Sequence, residues 1–95
     1  MAEKQQVPSV GRIVHYIMPD GRHKGAHRPA IIVQVWNGDA PPTLEHCVNL
    51  QVFTDGANDD ILNGAPVISR SSVQHRDAHL NEFGTYHFPE YVPAQ

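Results

Sequence analysis

Residues Val48-Asn49-Leu50-Gln51-Val52-Phe53-Thr54 alternate apolar and polar side chains. That two-residue period is the mark of a strand with one buried face. A second run, Ala30-Ile31-Ile32-Val33-Gln34-Val35-Trp36, is apolar and rich in β-branched residues, which favour extended backbone. Three weaker patterns complete the set, and the expected strands cover 11–18, 30–36, 45–54, 66–73 and 85–88. Turn signals separate them: Pro19-Asp20-Gly21, Asn37-Gly38-Asp39 with Pro41-Pro42, and Asp55-Gly56. Helical character is confined to short turns near Ile61-Leu62 and within 74–83. The pattern predicts an all-β protein: a small, partly open, five-stranded antiparallel barrel with long loops.

Strict alternation in the second strand puts Ile31, Val33 and Val35 on one face and Ala30, Ile32, Gln34 and Trp36 on the other. Pairing the second strand with the third then groups Gln34 and Trp36 with Asn49, Gln51 and Phe53 on one outward face. Carboxamides offer paired donors and acceptors, and aromatic rings offer a stacking plane. Such a face suits a planar small molecule or a protein partner. An equally open reading has Trp36 and Phe53 covered by the chain's own Tyr86, Phe88 and Tyr91.

Composition narrows the possibilities. Ninety-five residues, 40% hydrophobic and 18% charged, make one small domain. Residues 1–9 read as a flexible N-terminus, 10–90 as the domain and 91–95 as a tail. Eight prolines and seven glycines suit short strands. A single cysteine, Cys47, excludes an internal disulfide and fits a reducing compartment. No run is long enough to cross a bilayer as a helix, and no secretion-signal layout opens the chain. The expected location is a cytoplasm, with no membrane partner.

The net charge of −3 conceals an asymmetry. Residues 12–28 carry Arg12, Arg22, Lys24 and Arg28 against Asp20 alone, whereas 37–69 carry five carboxylates and no Lys or Arg. Too few cations share a face for duplex nucleic acid. The simplest expectation is that the two segments pair across the fold. A basic loop beside the amide–aromatic face also suits one small anion. The candidate ligand-binding set is therefore Gln34, Trp36, Asn49, Gln51 and Phe53, with His15, Arg22 and Arg28 at its edge.

Seven histidines raise the question of a metal. His23 and His27 are four apart, as are His75 and His79, with Glu82 three further on. Pro19, Gly21, Gly25 and Pro29 oppose a helix at the first pair, and no apolar stripe anchors one at the second. The spacing reads as scattered surface histidines, and no metal ligand or cofactor is assigned. Asp55-Gly-Ala-Asn58-Asp59-Asp60 lacks the ligand alternation of a calcium loop and reads as a solvated turn. Neither Cys47 nor Ser69, Ser71 and Ser72 has a nucleophile's context. The expectation is a binding protein and not an enzyme.

The strings Gly11-Arg-Ile-Val-His-Tyr16, Pro19-Asp-Gly21, His27-Arg-Pro-Ala-Ile-Ile-Val33 with Trp36, Val48-Asn-Leu-Gln-Val-Phe-Thr-Asp-Gly56 and Gly84-Thr-Tyr-His-Phe-Pro-Glu90 resemble a family of short tailed-phage and prophage proteins. That family often has tryptophan in place of Tyr86 or Phe88. The resemblance spans about residues 10–90 and carries no catalytic residue. It implies a viral accessory or virion-associated protein in the bacterial host cytoplasm. The layout also resembles small SH3-like barrels, at the level of fold alone. Combined with the amide, aromatic and cationic residues, it gives the leading expectation: a small anionic, nucleotide-like ligand, bound to counter host immune signalling. The alternatives are a virion, assembly or host-protein interaction module, and a metal-dependent hydrolase built on the histidines; a homo-oligomer is a further option, because small binding proteins often build pockets between copies.

Overall fold

The structure, a computed structural model, describes residues 7–78 and 83–89. Five strands form one antiparallel sheet: β1 (Ile13–Ile17), β2 (His27–Val35), β3 (Val48–Phe53), β4 (Val67–Val73) and β5 (Tyr86–His87). Their order is β4-β3-β2-β1-β5. The all-β, five-stranded antiparallel architecture expected from the patterning is the one observed. Helical structure among the described residues is limited to 3-10 turns at Gly56–Asn58, Leu62–Gly64 and Arg76–Ala78. No helix among them is long and apolar enough to cross a membrane. His79, Glu82, Tyr91, the expected tail and most of the expected flexible N-terminus lie outside the described residues.

The first four strands form a meander, and β5 returns to the free edge of β1. The sheet is not closed. Its two edges nonetheless meet at one parallel bridge between His75, just past β4, and Tyr86. There the Tyr86 N–H donates to the Gln74 carbonyl at 3.1 Å. A small, partly open barrel is compatible with this arrangement. Its interior is aliphatic with two tyrosines: Val14, Tyr16, Met18, Ala30, Ile32, Val48, Leu50, Val52, Ile68, Val73 and Tyr86 are all buried. Burying each Val, Leu, Ile or Met side chain among them contributes roughly 1.5–3 kcal/mol.

One expectation about β2 is corrected. Ala30 and Ile32 point inward, opposite the buried Val52 and Leu50. The register then shifts between Ile32 and Gln34, so that Gln34 opposes Asn49 and Val35 opposes the buried Val48. A bulge adds one unpaired residue and switches side-chain parity. Strict alternation assumed one parity throughout. The bulge lets the strand bury Ala30 and Ile32 and still present Gln34 outward. Pro29 also lies inside β2, not at its start. It sits opposite His15, where β2 pairs with β1 alone, so its missing donor interrupts no central ladder.

The basic and acidic segments do pair across the fold. Asp59, only 1% exposed, takes Arg28 on both oxygens: Nε donates to Oδ2 at 2.8 Å and Nη2 to Oδ1 at 2.7 Å. The Asp55 N–H donates to Oδ2 at 2.7 Å, and His23 Nδ1 lies 3.5 Å from Oδ1. These contacts, Arg28 first, hold the Asp59 carboxyl well below its ordinary 3.8 despite burial. The 55–60 loop is therefore no solvated turn throughout; Arg28 draws one of its carboxylates inside. Gly21 completes the joint. Its φ is +88°, and a Cβ there would lie 2.6 Å from the Asp59 carbonyl oxygen, so only glycine fits.

Three stability predictions follow from these contacts. Asp59→Asn leaves Arg28 without its counter-charge and should cost about 3 kcal/mol in urea unfolding; a loss under about 0.5 kcal/mol would show the pair to be dispensable. The Tyr86 hydroxyl is buried without a hydrogen-bond partner among the described residues, and burial pushes its pKa up to about 12. Tyr86→Phe should therefore leave stability unchanged or raise it by about 1 kcal/mol; a clear loss would reveal a partner for the hydroxyl.

The third concerns pH. His75 is buried at the seam, edge-on to Tyr86 and tilted against Phe88. Its Nδ1 accepts the Asp77 N–H at 3.0 Å, which requires a neutral ring on that side. Burial lowers its pKa from 6.5, with Arg76 assisting and Asp77 opposing. The unfolded chain thus binds the proton more readily than the folded one, so stability falls as pH drops through 6.5. Thermal melts between pH 7.5 and 5 should show this fall. His75→Gln should make it shallower, with His87 supplying the remainder because burial lowers its pKa as well, and an equally steep fall in that variant would rule His75 out as a source.

Candidate functional site

β1 is flanked by β2 on one side and β5 on the other, and this places three imidazoles together. Val14 and Tyr16 face the interior, so His15 faces outward. His87 sits directly opposite His15 on β5. His27 opens β2 opposite Ile17, the next β1 position on the His15 face, which is itself fully buried. Diagonal neighbours of this kind are within reach of long or aromatic side chains. His27 and His87 lean toward each other from the two strands beside β1. Their rings are 4.8 Å apart, and those of His15 and His87 are 5.3 Å apart. One ligating nitrogen from each of the three lies within 4.8 Å of the others.

The hydrogen bonds define the proton positions. His87 Nδ1 lies 3.0 Å from the Phe88 carbonyl, and Nε2 lies 2.8 Å from His27 Nδ1. A carbonyl only accepts, so His87 Nδ1 carries the proton. In the neutral ring, Nε2 then has a lone pair that accepts from His27 Nδ1–H. Burial is the main cause of a lowered His87 pKa; the Phe88 bond opposes it, while Arg76, His27 and His15 add to the lowering. His87 is 4% exposed, His15 is half-buried and His27 is exposed. The group has one deep member fixed by a backbone bond and two shallower members beside it. With His27 in its other tautomer, its Nδ1 and His87 Nε2 would present lone pairs side by side, an arrangement that suits a cation.

The structure divides the sequence-derived ligand set. Trp36, 54% exposed, donates its indole N–H to Asn49 Oδ1 at 2.9 Å, and the same oxygen accepts the Ser72 N–H at 3.0 Å. Gln34 lies opposite Asn49. These three residues form one cluster. Gln51 is further along β3 and donates to Ser69 Oγ at 2.9 Å. Phe53, 41% exposed, is at the far end. The Trp36 backbone N–H bonds the Cys47 carbonyl, and the six steps from Cys47 to Phe53 span about 20 Å at strand rise. Both rings are exposed, yet they cannot hold one small ligand between them. Arg28 has its charge matched by Asp59. Arg22 is exposed on its loop, with its backbone N–H donating to the Asp59 carbonyl.

His15 is the member of that set that joins the imidazole group. His27 and His87 were not anticipated as its partners. A search for paired histidines at helical spacing misses them, because pairing of three strands, not sequence distance, unites residues 15, 27 and 87. A cavity of about 420 Å³ is bordered by Leu44, Glu45, Gln74 and Asp77. Its two carboxylates disfavour an anion, and none of the three histidines lines it.

No protein-family model, no curated protein and no solved structure matches this chain.

Proposed function

We propose that this protein is a non-catalytic binding protein whose working centre is a divalent, zinc-class metal ion held by His15, His27 and His87. The observation that carries this reading is the approach of three imidazole nitrogens to within 4.8 Å of one another. Tetrahedral zinc–imidazole bonds of 2.0–2.1 Å place ligand atoms about 3.3 Å apart. The 2.8 Å contact between His27 and His87 must therefore open slightly, and His15 must swing inward. Both are side-chain rotations, and His27 moves its proton from Nδ1 to Nε2 so that Nδ1 can act as a ligand. The Phe88 carbonyl already fixes the His87 tautomer, as an outer partner commonly does for a metal-bound histidine.

The resemblance of its sequence strings to those of tailed-phage proteins supports reading it as an accessory protein of phage type acting in the host cytoplasm. Three imidazoles with an open position are also a donor set of hydrolytic zinc centres, which keeps a metal-dependent hydrolase as the second reading.

Purified, metal-free protein titrated with zinc in a calorimeter should take up one ion per chain. Alanine at His87 should weaken that uptake at least about tenfold, a loss seen even for outer-shell partners. His46→Ala should leave it unchanged, because His46 sits in another loop where its Nδ1 accepts the Thr43 N–H. Zinc should also raise the melting temperature through mass action on the folded state. No saturable uptake, or equal uptake by the His87 variant, would refute the proposal.

A further inference from the structure

We infer that the ion's fourth position takes the oxyanion of a small phosphorylated molecule whose planar body lies against Phe53. The inference rests on the metal reading above and specifies the ligand of that site.

Three features support it. The first is charge. Neutral imidazoles contribute no negative charge, so a divalent ion bound by them keeps its full +2. Such a centre favours an oxyanion as its remaining ligand.

The second feature is direction. Exposure rises from His87 through His15 to His27, so the open coordination position faces solvent on the His27 side. A ligand can approach from there without displacing any strand.

The third is the outer sheet face beside the group. His87 opposes His15, and His15 opposes Pro29. Ala30 opposes Val52 at the last rung between β2 and β3, and extending that register by one residue sets Phe53 beside Pro29. Phe53 is exposed and flanked on its other side by the exposed Val67. Two strand spacings separate Phe53 from His15, about 10 Å. That span matches a phosphate joined through a sugar-sized linker to a planar ring. The row offers no charged side chain between His15 and Phe53, so the middle of the ligand meets apolar surface.

Cobalt(II) provides the test, since its visible bands report both metal uptake and exchange of the fourth ligand. Cobalt-loaded protein is titrated with inorganic phosphate and, separately, with adenosine monophosphate. Both should perturb the bands. The nucleotide should half-saturate at about a tenfold lower concentration, as expected when one base stacks on an aromatic ring. Phe53→Ala should abolish that preference while leaving the bands of the cobalt centre intact. Bands that form normally but respond to neither anion would overturn the inference and leave the metal reading standing. A nucleotide no tighter than phosphate would overturn the role of Phe53 and the planar ligand with it. No cobalt bands at all would remove both the metal reading and the inference.

Discussion

The candidate site depends on the burial of one ring, that of Tyr86. β5 is only two residues long, and two rungs of backbone pairing are a weak attachment on their own. Tyr86 fixes it by sinking its ring into the interior, 0% exposed, against His75 and Phe88. An aromatic ring buried to this degree is among the larger single contributions to a small core. Strand parity does the rest. With Tyr86 turned inward, its neighbour His87 turns outward and meets His15 across the rung. The same burial leaves a phenol oxygen without a partner among the described residues, so the anchor carries a cost alongside its apolar gain.

Strand positions were readable from the sequence because alternation and turn chemistry agree there. Val48 through Phe53 is an outward–inward ladder whose inner members are all aliphatic, and the structure keeps it so. β2 was less readable. Every residue from Ala30 to Val33 is apolar, so periodicity cannot say which side is inside, and the bulge at Val33 leaves no mark in composition. Trp36 was expected beside Phe53 because both read as outward; face was predictable, distance along the strand was not weighed. The histidine group was illegible for a different reason. Its members come from the middle of one strand, the first residue of another and the last residue of a third. Only the return of β5 to β1 makes them neighbours, and that return is a property of topology.

Charge pairing explains how the loops stay clear of this site. Arg28 follows His27 directly, and alternation sends the two side chains to opposite faces. Arg28 is held by Asp59 on one side of β2, leaving His27 free to lean over β1 on the other. Gly21 and Arg22 lie against the backbone at Asp59, which draws the 19–28 loop to the same joint. The cation that the sequence suggested for an anion site is thus a structural member. It positions the base of β2, and its charge is answered within the chain.

A metal at the imidazole group would change what holds β5 in the sheet. Without an ion, the link between β2 and β5 across β1 is one neutral hydrogen bond, worth about 1 kcal/mol net. With an ion, the same two strands and β1 share three coordinate bonds, and fraying of the short β5 must break a ligand bond first. The group forms only when β5 is in place, so ion affinity and the docking of β5 are one equilibrium seen from two ends. The geometry suits that coupling. His87, the deepest ligand, is carried by the strand with the least backbone pairing, whereas His15 and His27 belong to strands that stay paired with each other regardless. Binding at the site therefore draws on the least secured element of the fold.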